Sequence, residues 1–193
     1  MALTKTNARS GYSVDLSSYA TSTDLNNLTT GKILQVQSAY TDTASSWNVS
    51  GYHTWTNIPS LSVTITPSST SSKIMLLGST QLSTGTDNHD VALRFSRGSS
   101  AIGVGQAYSG RTQAYVMMGD MDEHSNGYGW GVWDVQMHWI DSPNTTSATT
   151  YYISTSGGGA QGGTLYVNTQ GVAAVTGENH TGVSTLIAME IAG

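Results

Sequence analysis

The densest group of side chains able to do chemistry is GDMDEHSNG, residues 119–127, where Asp120, Asp122, Glu123 and His124 flank a turn. Carboxylates at i and i+2 can meet on a calcium ion, and a neighbouring imidazole can join a transition metal. The spacing of a helix–loop–helix calcium site is not met: no glycine stands at the sharp turn and no glutamate closes the far end. A solvated loop tip between two strands asks less of the sequence, and no metal is assigned. The five histidines, His53, His89, His124, His138 and His180, show neither HxH nor HExxH spacing. Ordinary surface or partly buried roles are expected of them; only three copies meeting on an oligomer axis would make a metal site.

GVGQAYSG, residues 103–110, has the glycines of a phosphate cradle. No helix pattern and no GK[ST] follow, so the mechanism that would need those glycines is missing and a strand-to-strand turn is expected. For nucleophilic hydrolysis there is no G-x-S-x-G elbow, and with serine this abundant a Ser near a His carries no information. The glutamates and aspartates form no distinctive pair of the kind glycosidases use. No catalytic residue and no cofactor are assigned.

The aromatic residues are more suggestive. SNGYGWGVW places Tyr128, Trp130 and Trp133 beside flexible glycines. A ring face packs on the C–H face of a pyranose while Asp and Asn hold its hydroxyls, so Tyr128 and Trp130 with Asp120, Asp122, Glu123 and Asn126 form a candidate contact for a host-surface glycan. The competing reading puts these rings in the core or in a subunit contact. Alternation points Trp133 to the core.

Twelve acidic against seven basic residues, a net charge of −5 with only 10% charged residues, is a poor match to nucleic-acid binding. The absence of cysteine excludes disulfides and thiolate metal sites. The first residues lack the apolar core of a secretory signal, and no run approaches a membrane span. Synthesis in a cytoplasm, with export only inside something larger, is the expectation.

The elements that must position these residues are strands. From residue 32 the hydrophobic period is two, with candidates at 32–40, 52–56, 61–66, 72–82, 89–97, 100–104, 113–118, 129–141, 149–156, 164–168 and 183–191. Turn-forming stretches such as PSSTSS, STGTDN and DSPNTTS separate them. This predicts an all-β antiparallel sandwich of jelly-roll type over 32–193, preceded by an N-terminal arm over 1–31. The arm is polar with sparse apolar anchors, Leu16, Tyr19, Leu25 and Leu28, and STDLNNLTTG predicts one or two helical turns within it.

Two strands break the half-wet pattern. LSVTIT alternates cleanly, whereas KIMLL after the PSSTSS turn and the terminal VSTLIAMEI are apolar on both faces. In a two-layer sandwich one face of each strand meets water, so these strands either lie under a loop or face another subunit. Leu186, Ile187, Met189, Ile191 and Met75 are the candidate interface of a homotrimer.

GKILQVQ, LSVTITPSSTSSKIMLL, LRFSRGSSAIGVG, DSPNTTSATTYYIS, LYVN and GVSTLIAMEI, in that order, resemble the C-terminal β-sandwich domain of tailed-phage fibre proteins common in marine and cyanobacterial phages. The resemblance spans about residues 31–193. It implies a trimeric jelly-roll head, displayed on a virion assembled in the host cytoplasm, that contacts a host surface. Fibre proteins carry a shaft or anchoring domain before this module, and here about thirty residues precede it. A short fibre or knob is therefore expected, docked through residues 1–31 to a capsid, tail or nozzle protein or to a separate fibre. Two rival readings keep the fold: a capsid-decorating or tail-joint protein that stabilises the particle without a receptor, and a small glycan-processing enzyme.

Overall fold

A computed structural model of the chain describes residues 31–48, 54–84, 90–118, 131–157, 164–171 and 180–193, with the backbone of two short strands before them. Those two, β1 (Lys5–Thr6) and β2 (Ser13–Val14), pair with each other antiparallel. The remaining strands are β3 (Ile33–Thr41), β4 (Ser45–Asn48), β5 (Thr56–Ile65), β6 (Lys73–Thr84), β7 (Val91–Arg97), β8 (Ser100–Ile102), β9 (Val116–Met118), β10 (Trp133–Asp141), β11 (Thr149–Gly157), β12 (Thr164–Val167) and β13 (Ser184–Ile191).

Several short strands run end to end. β13 and β12 pair in turn with the first and second parts of β6, and β3 and β4 pair with β13 and β12 on their far sides. Sheet I is thus four strands wide: β3/β4, β13/β12, β6, β10. Sheet II is built likewise as β5, β11, β7 and then β8/β9, which share the outer edge of β7. Counting joined strands once, the first, last, third and sixth form sheet I, and the second, seventh, fourth and fifth form sheet II. That is the winding of a jelly roll, two interlocked Greek keys folded into a sandwich.

Alternation explains which side chains fill the space between the sheets. Ile74, Leu76 and Leu82 of β6 meet Leu93 and Phe95 of β7 and Tyr151 and Ile153 of β11 in one buried cluster. Each such aliphatic or aromatic side chain contributes about 1.5–3 kcal/mol when removed from water. Gly78, also on the inward face of β6, leaves room for the opposite sheet: a Cβ there would lie 2.6 Å from Ile153 Cδ1 and 3.3 Å from Phe95 Cε1.

The predicted strands are present with shifted ends. β4 is not among the sequence candidates because SSWN holds a single apolar residue; pairing with β12 makes it a strand. Of candidate 52–56, Thr54 and Trp55 are not in a strand and Thr56 opens β5, while residues 52–53 and the predicted helical turn before Gly31 lie outside the described residues. β5 begins earlier than expected and runs through Pro59. It is an edge strand, and Ile58–Leu61 bulge opposite Ile153 alone, so the missing proline N–H costs no ladder bond. Ser60 takes a φ of 60° within that bulge, and Ile58 and Leu61 both turn into the core.

Where β12 and β13 meet end to end, Asn168 locks the joint. It is fully buried with a φ of 59°, a left-handed conformation that asparagine tolerates better than most residues. Its N–H donates to Gln81 O, its Nδ2 to Thr41 O at 2.8 Å, and its Oδ1 accepts from Ser184 Oγ at 2.7 Å. One side chain thereby closes the gaps in two strand pairs.

Candidate functional site

The outer face of sheet I carries the most unusual surface among the described residues. Register places Val36, Met189, Met75 and Ile140 in one row across all four strands. The next row is Ser38, Ile187, Leu77 and His138, and the next is Tyr40, Thr185, Ser79 and Gln136. Ile33 and Ile191 are partners at the far end. The face therefore grades from apolar to polar along the strands. Met75, Leu77, Ile187 and Met189 are half-buried by one another, while Val36 and Ile140 at the sides are 53% and 54% exposed. At the polar end, Gln136 Nε2 donates to Ser79 Oγ and to both Asp134 oxygens, and Ser79 Oγ donates to Asp134. A hollow of about 370 Å³ lies at the boundary, between Leu77, Ile187 and His138.

Of the residues expected at a trimer contact, Met75, Ile187, Met189 and Ile191 share this outer face. Leu186 does not: it is fully buried in the core, because neighbours in a strand point to opposite sides. The sequence could not separate Leu186 from Ile187, since both faces of β13 are apolar. The glycan candidates Asp120, Asp122, Glu123, Asn126, Tyr128 and Trp130 lie outside the described residues, as do the arm residues Leu16, Tyr19, Leu25 and Leu28. Trp133 is half-buried against the core, as alternation predicts. Trp139, which alternation puts on the same face of β10 as Trp133, reaches the rim and is 41% exposed. It packs on Gly103, where a Cβ would lie 2.8 Å from the indole and φ is +63°.

The buried ionisable groups are pins of the fold. Glu190 and Asp141 flank Ile74 in one row across β6. Glu190 is fully buried and accepts from Ser68 N, Ser68 Oγ, Ser72 Oγ and Gln35 Nε2 at 2.6–2.7 Å. Burial alone would raise its pKa, but these hydrogen bonds outweigh it and hold the carboxyl down at about 2. The PSSTSS turn is thus tied to the last strand by a single carboxylate. Asp141 Oδ2 accepts from Tyr151 Oη at 2.8 Å and Arg97 Nη1 at 2.9 Å. Burial, and then the Asp141 carboxylate, push the Tyr151 phenol well above its ordinary value. Both carboxylates are committed to protein donors, which suits anchoring.

Sheet II presents a different outer face. Ser96 and Ser154 share a hydrogen bond of 2.8 Å, Ser154 Oγ donates to Asn57 Oδ1 at 2.6 Å, and Thr64 and Thr150 meet at 2.8 Å. The Arg94 guanidinium lies 4.0 Å over the Trp55 ring, and burial lowers its pKa. At one end of this sheet is a groove of about 580 Å³ formed with residues 105–114, of which the sequence predicts the part up to Gly110 as a turn.

Among the described residues no three His, Asp or Glu side chains gather as a metal site, and no helix is long and apolar enough to cross a membrane. Neither a protein-family model nor a curated protein matches the chain.

Proposed function

We propose that this chain is a virion structural protein, the homotrimeric knob of a short tail fibre that attaches a tailed phage to its host surface, with residues 1–31 joining it to the particle. The observation that carries the reading is the apolar outer face of sheet I. A sandwich that worked alone would have little reason to present Val36, Met189, Met75 and Ile140 in one row to water. Covering that row with two further copies of the chain buries side chains worth about 1.5–3 kcal/mol each, enough in sum to offset part of the cost of association. The jelly-roll winding and the ordered motif resemblance to phage fibre heads agree with it. Light scattering on the full chain is expected to give three times the 20.3 kDa chain mass. The soluble protein is then expected to block adsorption when host cells are pre-incubated with it. A trimer that leaves adsorption untouched favours the capsid-decorating or tail-joint reading, and a monomer removes the knob.

A further inference from the structure

We infer that the groove at the end of sheet II is a saccharide-binding site that prefers sugars carrying a carboxylate. The inference deepens the attachment reading and rests on it for the biological source of the ligand. Its geometry starts from GQAYSGRTQA, residues 105–114. Gly105 N–H donates to Ala114 O at 3.0 Å and Arg111 N–H to Tyr108 O at 2.9 Å, so the two arms of this segment pair in constant antiparallel register. Ser109 and Gly110 at the tip have φ of 43° and 73°. Both values are left-handed, which is the two-residue hairpin turn of type I′.

In that register Tyr108 faces Arg111 and Gln106 faces Gln113. Period-two alternation puts all four on one side of the hairpin, and all four line the groove. Its floor is the row Ser156–Ala92–Met117 of sheet II, where the small side chains of Ser156 and Ala92 give depth. Asp90 stands at the start of β7 on the same groove. The Tyr108 ring is 71% exposed, an apolar surface held out at a hairpin tip where it contributes nothing to the core. Arg111 pairs with no carboxylate among the described residues.

An open ring flanked by the Gln106 amide, the Gln113 amide oxygen (its Nε2 already donates to Gly105 O), a guanidinium and a carboxylate is the chemistry that recognises a pyranose. The ring stacks on the C–H face while the planar polar groups hold hydroxyls. Arg111 adds a fork that fits a carboxylate with two parallel hydrogen bonds, which selects a uronic acid over a neutral hexose. The volume lies within the range of roughly 300–1,000 Å³ common for small-ligand sites.

The test uses the full chain with two probes, a tetragalacturonate and the neutral maltotetraose, by calorimetry and saturation-transfer NMR. The acidic sugar is expected to bind at least about tenfold more tightly than the neutral one. Tyr108→Ala is expected to abolish the saturation-transfer signal of both, and Arg111→Gln to weaken only the acidic sugar, by about tenfold. Both side chains sit at an exposed tip, so circular dichroism and light-scattering mass should match the parent. No binding of either probe, equal binding of both, or binding unchanged in Tyr108→Ala overturns the inference. If the parent is trimeric while the groove fails, the knob reading stands without it; binding by a monomer keeps the groove and removes the knob.

Discussion

The two outer faces of the sandwich obey the same alternation and carry opposite chemistry. On sheet I the outward positions are Met, Ile, Leu and Val over half the strand length; on sheet II they are mostly Ser, Thr and Asn, with Arg94 over Trp55 and with Tyr152, Ala92 and Met117 among them. The hydroxyls of sheet II satisfy one another across the strands. One end of that face opens as a groove lined by both polar and apolar side chains. Among the described residues, the outward apolar side chains of sheet I stay half-buried or exposed. The proposed subunit contact and the proposed groove thus fall on opposite faces of one fold, set by the residues at alternate positions.

The sharpest way to break this contrast is a charge on each face. Ile187→Asp is expected to convert the proposed trimer to a monomer, because an unpaired carboxylate buried in that contact costs several kcal/mol. Thr64→Asp on sheet II should leave the light-scattering mass unchanged. If Ile187→Asp remains trimeric, the subunit contact lies elsewhere.

Asn168→Ala comes next, since it strips the joint of sheet I of its side-chain hydrogen bonds and leaves buried partners unpaired. A loss on the order of 3 kcal/mol in urea unfolding is expected, whereas Ser154→Ala, which removes the hydroxyl shared with Asn57 and Ser96 on sheet II, should cost about 1 kcal/mol.

Glu190 adds a pH dependence to sheet I. Its folded pKa is depressed to about 2 from 4.5, so the unfolded chain binds its proton first as pH falls. The stability it confers is complete above about 4.5 and is lost as pH falls through about 2. Glu190→Gln should lower stability at pH 7 by about 2 kcal/mol, the range of a charged hydrogen-bond network losing its charge. The variant should also show a smaller fall in Tm between pH 5 and pH 2 than the parent. Equal falls would assign the acid sensitivity to other carboxylates.

The smallest effect is expected of Thr64→Ala, on the exposed part of sheet II. Its stability should change by no more than about 0.5 kcal/mol, as for most surface positions.

Much of this architecture was legible in the chain because strand period is local. Clean alternation in Leu61–Ile65 and Val91–Phe95 names the core residues directly, and the serines and prolines of PSSTSS and DSPNTTS mark the turns. Legibility ended where the local signal is symmetric or absent. Ser45–Asn48 has too few apolar residues to declare itself a strand, and only its pairing with β12 makes it one. The groove was missed because GVGQAYSG was weighed as a phosphate loop and set aside as a turn. The signal available was the mirror pattern Gln-x-Tyr-Ser-Gly-Arg-x-Gln around a two-residue turn.

By itself, then, the sequence determined a two-layer β sandwich, the inward residues of its amphipathic strands, and the fact that two strands are apolar on both sides. Alternation dictates these, and it acts between neighbours in the chain. The tertiary structure alone decided that Leu186 faces the core and Ile187 the surface, that Glu190 is held as an anion by the PSSTSS turn, that Asn168 joins four strand ends, and that Tyr108 and Arg111 stand together over Ala92. Each of these depends on pairing between residues far apart in sequence, where register, not composition, sets which atoms meet.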